Sequence, residues 1–295
     1  MRIGIAGLGR MGSALADRLR EVGHSLVVWN RTPEKAVPIV DAGAALARSP
    51  AELAEQSETI ITCLTDAAAI EAVYAGKDGL LAADIQGRLF IETSTVRPET
   101  QRGLAERVRA KNGVFIECAV SGTTGPARQG RLIGLAGGEA DDIDRARPIL
   151  EQFCRRIEHA GPVGAGASLK LAVNLPLVVY YQALGEAYAL CRHLGLDPER
   201  LIDLFADTSG GANILKARGS IIAATLRTGD PPPVTFDIDS VRKDLQTMIA
   251  EGKALGFPLP VTERALEIYD EASRSTWGDR DATSMPAFWS GRKRG

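Results

Sequence analysis

The sequence predicts an α/β chain: a doubly wound, largely parallel first domain over residues 1–162, then an all-α second domain over 163–295, joined by a long helix. Three observations predict it. Short β-rich runs alternate with amphipathic stretches up to about residue 162, the pattern of βαβ units. After Gly161-Pro162 the strand-like runs vanish and long helical patterns take over. A cluster of glycines directly follows the first strand, where a doubly wound sheet places its phosphate-binding turn.

The candidate strands are 3–6, 25–29, 59–63, 89–92, 114–117, 132–136 and 156–159, with helical stretches such as 11–22, 99–111 and 141–153 between them. Right-handed crossovers between parallel strands then wind the sheet in both directions. The second half carries helical patterns over 167–194, 198–207, 214–226, 239–255 and 262–273. Gly195, the run Gly229-Asp230-Pro231-Pro232-Pro233 and Gly256-Phe257-Pro258 punctuate them. Pro176 falls inside the first of these helices, where it should free the Ala172 carbonyl and kink the axis.

Composition narrows the function classes. With 45% hydrophobic and 24% charged residues, the chain has the balance of a soluble globular protein. A formal net charge of −2 gives no broad basic field, so nucleic acid is not an expected partner. Arg292, Lys293 and Arg294 read as a solvated tail. No leader is expected, because the sequence enters a strand pattern at once, Arg2 to Ala6, with no apolar stretch before a small-residue cleavage site. No membrane span is expected either, because the most apolar stretch, 172–190, is broken by Asn174, Gln182 and Glu186 and reads as a buried helix. The 4 cysteines form no CxxC pair and the 3 histidines have no ligand spacing, so a cytoplasmic, metal-free protein is expected.

Gly7-Leu8-Gly9-Arg10-Met11-Gly12 follows the first strand and opens a helix, the context that makes a GxGxxG pattern a dinucleotide signal. Gly7 permits the tight turn, Gly9 lets backbone approach the pyrophosphate and Gly12 allows close helix–strand packing. The amides of the helix N-terminus then meet the phosphates. The second strand ends at Trp29-Asn30, followed by Arg31-Thr32. An acidic residue here would hold the ribose 2′-hydroxyl of NAD(H), whereas an arginine accommodates a 2′-phosphate. Asn30, Arg31 and Thr32 therefore favour NADP(H), with NAD(H) the alternative.

Leu64-Thr65 and Thr93-Ser94-Thr95 end two further strands, and ligands bind at the carboxyl edge of such sheets. Both segments also suit turn chemistry. Ser94 and Thr95 lie just ahead of Pro98, where a helix cap is an equal reading.

Four motifs in order then carry a resemblance: Gly7 to Gly12; Val120-Ser121-Gly122 with Gly130; Gly164-Ala165-Gly166-Ala167-Ser168-Leu169-Lys170 with Asn174; and Lys243-Asp244-Leu245. Over about residues 1 to 285 the chain resembles the β-hydroxyacid dehydrogenases, the group of 3-hydroxyisobutyrate, tartronate semialdehyde and 6-phosphogluconate dehydrogenases. The resemblance implies a Rossmann-type first domain and a small carboxylate-bearing substrate. The apolar surface over 175–189 suggests a homodimer or homotetramer sharing these helices, and a buried interdomain helix reads the same in sequence. It implies Lys170 as catalytic lysine, Asn174 as the residue holding the substrate, and Ser121 and Gly122 as the loop gripping its carboxylate. Thr95 and Lys243 would reach the nicotinamide and substrate.

The residues agree with this. Gly164 and Gly166 mark a turn before a long helix, so Lys170 lies near its start, where the positive end of the helix disfavours an ammonium. Such a lysine can give a proton to a carbonyl oxygen or take one from an alcohol. Asn174, four residues on, shares its helix face. Lys243 beside Asp244 would, without the resemblance, be an ordinary surface pair. Thr123 stands where the family pattern has glycine and reshapes the carboxylate loop, and Val173 replaces an asparagine. The expected activity is hydride transfer between NADP(H) and a small β-hydroxy acid, semialdehyde or keto acid. The alternatives are an imine reductase on the same fold and a non-catalytic cofactor-binding protein.

Overall fold

The computed structural model describes residues 1–291. The basic run at Arg292, Lys293 and Arg294 lies outside them. The chain divides into two compact units, Met1–Leu171 and Ala172–Gly295.

The first unit is built on eight strands: β1 Arg2–Ala6, β2 Ser25–Trp29, β3 Ala45–Leu46, β4 Thr59–Thr62, β5 Leu89–Glu92, β6 Val114–Ser121, β7 Leu132–Gly137 and β8 Cys154–Gly161. They form one sheet in the order β3-β2-β1-β4-β5-β6-β7-β8. Every pairing is parallel except β6 with β7. Stepping outward from β1 in both directions is the doubly wound arrangement the alternating pattern implied. Its helices are α1 Arg10–Glu21, α2 Val37–Asp41, α3 Pro50–Glu55, α4 Ala67–Ala75, α5 Pro98–Arg109, α6 Thr124–Arg128 and α7 Ala140–Phe153.

These helices cover both faces of the sheet. On one face Ile3, Ile5, Ile61, Ile91 and Ile116 pack with Leu15, Leu19, Ile149 and Phe153 of α1 and α7. On the other, Ile60, Phe90 and Phe115 pack with Leu53, Tyr74 and Leu104 of α3, α4 and α5. Burial on both faces explains why the strands read as continuous apolar runs. The edge strand β8 instead exposes Arg155 and Arg156, charges that discourage pairing with another chain.

The helices that follow are α8 Ala165–Cys191, α9 Pro198–Ala206, α10 Ile214–Thr228, α11 Ile238–Ala254, α12 Pro260–Ala272 and α13 Met285–Gly291. Helix α8 begins in the first unit and ends in the second. It continues through Pro176, so the proline removes one donor without ending the helix. Among the described residues no helix is long and apolar enough to cross a membrane.

Candidate functional site

The carboxyl edge of the parallel strands gathers most of the candidate cofactor residues. Gly7 leaves β1 at φ 97°, a left-handed conformation that suits glycine, and its N–H donates to the Trp29 carbonyl at 3.0 Å. The Leu8 N–H donates to Asn30 Oδ1 at 2.8 Å, and Asn30 Nδ2 donates to the Thr32 carbonyl at 2.8 Å. Asn30 therefore braces the turn with both ends of its amide. Arg31 is exposed and makes no hydrogen bond or ion pair among the described residues, and Thr32 is exposed beside it. Arg10 is exposed and Met11 half-buried at the start of α1.

The glycines test whether this turn fits a dinucleotide. A Cβ on Gly12 would lie 1.9 Å from the Gly7 carbonyl oxygen, and one on Gly7 2.3 Å from that of Cys63. Packing inside the protein explains both. A Cβ on Gly9 would meet nothing within 4 Å, so no protein atom requires glycine there. Backbone bared toward open space at a helix N-terminus suits close approach of a phosphate. Helix α1 has no acidic residue in its first turn and no side-chain cap at its N-terminus, so its positive end is not offset locally.

The loops after β4 and β5 are joined. Ser94 Oγ accepts the Leu64 N–H at 2.8 Å, while Thr65 is exposed and Thr95 half-buried. Arg97, and not Ser94 or Thr95, stands at the N-cap position of helix α5. Ser121 ends β6, which lies parallel to β5. Gly122 follows with φ 126°, and Thr123 precedes α6 in an extended conformation.

Lys170 and Asn174 lie one turn apart on α8, only 7% and 9% exposed. Within the second unit Asn174 Nδ2 donates to Asp244 Oδ2 at 3.3 Å, and Lys243 Nζ lies 2.5 Å from Asp244 Oδ1. Asp244 is 2% exposed, so Lys243 and Asp244 are not a solvated surface pair. Its buried carboxylate links the lysine of α11 to the asparagine of α8.

A family model described as the NAD binding domain of 6-phosphogluconate dehydrogenase matches residues 2–161. Another, described as the NAD-binding of NADP-dependent 3-hydroxyisobutyrate dehydrogenase, matches residues 164–289. The chain belongs to the β-hydroxyacid dehydrogenase family.

Glyoxylate/succinic semialdehyde reductase 1 of Arabidopsis thaliana is 32% identical over 286 residues, 97% of either chain. The 3-hydroxyisobutyrate dehydrogenase of Pseudomonas aeruginosa is 39% identical over 209 residues, 71% of this chain and 70% of that one. Among solved structures, Mycobacterium tuberculosis 3-hydroxyisobutyrate dehydrogenase with L-serine superposes with a TM-score of 0.84 at 26% identity, covering 97% of this chain and 98% of that one. As a β-hydroxyacid dehydrogenase, this chain is an oxidoreductase that uses a nicotinamide cofactor.

Two carboxylates of this β-hydroxyacid dehydrogenase are buried in the sheet, and neither is among the candidate site residues of the sequence. Glu92 is fully buried at the end of β5, where it accepts from Thr62 Oγ1 and from the Ser94 N–H, each at 2.6 Å. Thr62 Oγ1 also meets Tyr74 Oη at 2.9 Å. Burial raises the Glu92 carboxyl above its ordinary range, and the Ser94 and Thr62 bonds pull it back in part. Glu117, 1% exposed, accepts from the Gly164 and Gly166 N–H groups at 2.6 and 3.0 Å. Burial pushes it up to about 7 against the pull of those amides. A charged residue directly after an apolar run, as in Phe90-Ile91-Glu92 and Phe115-Ile116-Glu117, is the signal that could have found both.

Proposed function

We propose that the chain is an NADP(H)-dependent dehydrogenase or reductase acting on a small β-hydroxy acid and its semialdehyde or keto-acid counterpart, with Lys170 as general acid and base. The observation that carries this is Lys170 itself, 7% exposed on α8 and one turn from the equally buried Asn174. Lysines are rarely buried so far, and burial and the start of a helix both oppose an ammonium. A lysine held where its charged form is disfavoured suits proton transfer better than it suits a structural role.

When bound, the nicotinamide supplies the hydride chemistry. In reduction Lys170 gives a proton to the substrate oxygen as the carbonyl carbon is reduced; in oxidation it takes that proton back. Asn174 orients the substrate, and Asp244 holds Asn174 and Lys243 together. Ser121, Gly122 and Thr123 grip the substrate carboxylate, while Thr95 and Lys243 reach toward nicotinamide and substrate. Gly7 to Gly12, Leu64 and Thr65 receive the dinucleotide. Arg31, exposed and unpaired among the described residues, anchors a 2′-phosphate.

Relatives named for glyoxylate, succinic semialdehyde and 3-hydroxyisobutyrate support a small acid as substrate, as does the similar structure with L-serine. The description of an NADP-dependent enzyme in the second family model supports the cofactor. The test is single-turnover hydride transfer by Lys170→Ala with NADPH across semialdehydes, keto acids and cyclic imines. The rate with the best acid should fall roughly 10²- to 10⁴-fold, with cofactor affinity unchanged. A rate within about threefold of wild type, well short of that loss, would overturn the assignment of Lys170. Turnover of imines alone would overturn the substrate class.

A further inference from the structure

Glu117 is a costly residue in its position. It lies in β6 between buried Ile116 and Cys118, and a buried carboxylate is unfavourable unless it is well bonded. It forms no ion pair among the described residues. Its Oε1 accepts two N–H groups that bracket the start of α8, from Gly164 and Gly166, and its buried Oε2 has no hydrogen-bond partner among the described residues. The backbone around it leaves room for this one group. A Cβ on Gly137, its partner in β7, would stand 2.3 Å from Oε1, and Gly164 has φ 101°. An amide or an apolar side chain would fill this socket with less desolvation, so the acid here calls for a role tied to its charge.

The helix supplies one. The bonds from Gly164 and Gly166 fasten the first turn of α8 to β6 and set a carboxylate at the positive end of that helix. Lys170 is four residues beyond Gly166, about 6 Å along the axis. An ionised carboxylate at that end offsets the helix field that opposes an ammonium further along; a neutral group does not. The other titratable groups around Glu117 are Glu92, opposite it in β5, and Cys118, next in the strand. Arg102 of α5 lies against Gly164, and His159 of β8 bonds the Gly138 and Gly161 carbonyls nearby.

We propose that Glu117 is a positioning residue for Lys170: it fixes the first turn of the catalytic helix, and its charge supports the ammonium form of the lysine without touching substrate. This rests on the reading of Lys170 as the general acid.

The experiment compares Glu117→Gln, Glu117→Asp and Lys170→Ala in the full chain, as single-turnover reduction with NADPH from neutral to alkaline pH. Glu117→Gln keeps an oxygen for both amide donors and loses the charge. Its NADPH affinity should hold, while the alkaline limb of the rate, where Lys170 loses its proton, should move to lower pH by about half a unit or more. Glu117→Asp keeps the charge and loses one methylene of reach, so the limb should stay and the rate should fall about tenfold. A Glu117→Gln profile that superposes on wild type, while Lys170→Ala has lost the rate, overturns the proposal alone. A Lys170→Ala variant that keeps both rate and limb overturns the reading of the lysine, and this proposal with it. Should Glu117→Gln not fold, a Glu117→Asp variant with wild-type rate and profile overturns the proposal.

Discussion

The side-chain oxygen of Asn30 accepts the Leu8 N–H at 2.8 Å, so the end of β2 and the glycine turn after β1 hold each other. The same amide donates to the Thr32 carbonyl. Asn30 thus shapes the turn, and the proposed function gives discrimination between cofactors to its exposed neighbour Arg31.

Two substitutions separate these roles. Asn30→Ala should weaken NADPH and NADH alike, by about 5- to 30-fold, for the loss of one or two neutral hydrogen bonds. Arg31→Ala should weaken NADPH alone, by about 10- to 150-fold, because a charge-assisted phosphate contact is worth about 1.5–3 kcal/mol. Fluorescence titration of both cofactors decides. Equal losses for the two cofactors in Arg31→Ala would move the preference elsewhere.

The glycine turn makes a second contrast. Gly12→Ala places a methyl group 1.9 Å from the Gly7 carbonyl oxygen, whereas Gly9→Ala meets nothing within 4 Å. Gly12→Ala should destabilise the fold by about 2 kcal/mol or more, as overpacking does. Gly9→Ala should unfold within about 1 kcal/mol of wild type yet bind NADPH at least about tenfold more weakly. Thermal unfolding with and without NADPH reads both. Unimpaired binding by Gly9→Ala would show that the bare backbone receives no phosphate.

Glu92 links stability to pH. Its carboxyl is raised above the ordinary range by burial, so the native state binds its proton more tightly than the unfolded chain does. The stability this contributes is complete below the unfolded value of 4.5 and is lost as pH rises through the folded value. Gln at this position keeps the bonds to Ser94 and Thr62 without a charge. Glu92→Gln should match wild type in acid and exceed it increasingly above that range, by up to about 1.4 kcal/mol per pH unit until the folded group has ionised. Denaturant unfolding at a series of pH values tests this, and parallel curves would refute it.

Asp244 couples Asn174 to Lys243 through its two oxygens. In a double-mutant cycle on kcat/KM, Asn174→Ala and Asp244→Ala should be non-additive by about 0.5–2 kcal/mol, as expected of residues in contact. Additive losses would mean that the 3.3 Å bond has no part in holding the substrate.

Much of the fold is legible in the sequence. Strands 25–29 and 89–92 stand as expected because each is an apolar run buried on both faces. β3, two residues long, and α4, whose alanines flank Ile70, Val73 and Tyr74 without strong periodicity, leave too little pattern to read. The sequence pattern gives β6 as 114–117, whereas the strand continues to Ser121, with the Gly164 and Gly166 amides satisfying the Glu117 carboxylate within it. Ser94 reads equally as a ligand contact and as a helix cap from its place before Pro98, and its bond to the Leu64 N–H, 30 residues away, has no sign in the sequence. Asp244 reads in sequence as solvated beside Lys243 because Asn174, which donates to its other oxygen, is 70 residues away.

Helix α8 runs unbroken from Ala165 to Cys191 and carries Lys170 and Asn174 on successive turns. That continuity makes the interval between them intolerant of length change. One residue gained or lost there would swing Asn174 through about 100° around the axis, off the face it shares with the lysine. The proline run at 231–233, between α10 and α11, has no such phase to keep. Insertions and deletions among sequences of this kind should therefore gather in loops such as 229–233 and leave the span from 170 to 174 at a fixed length.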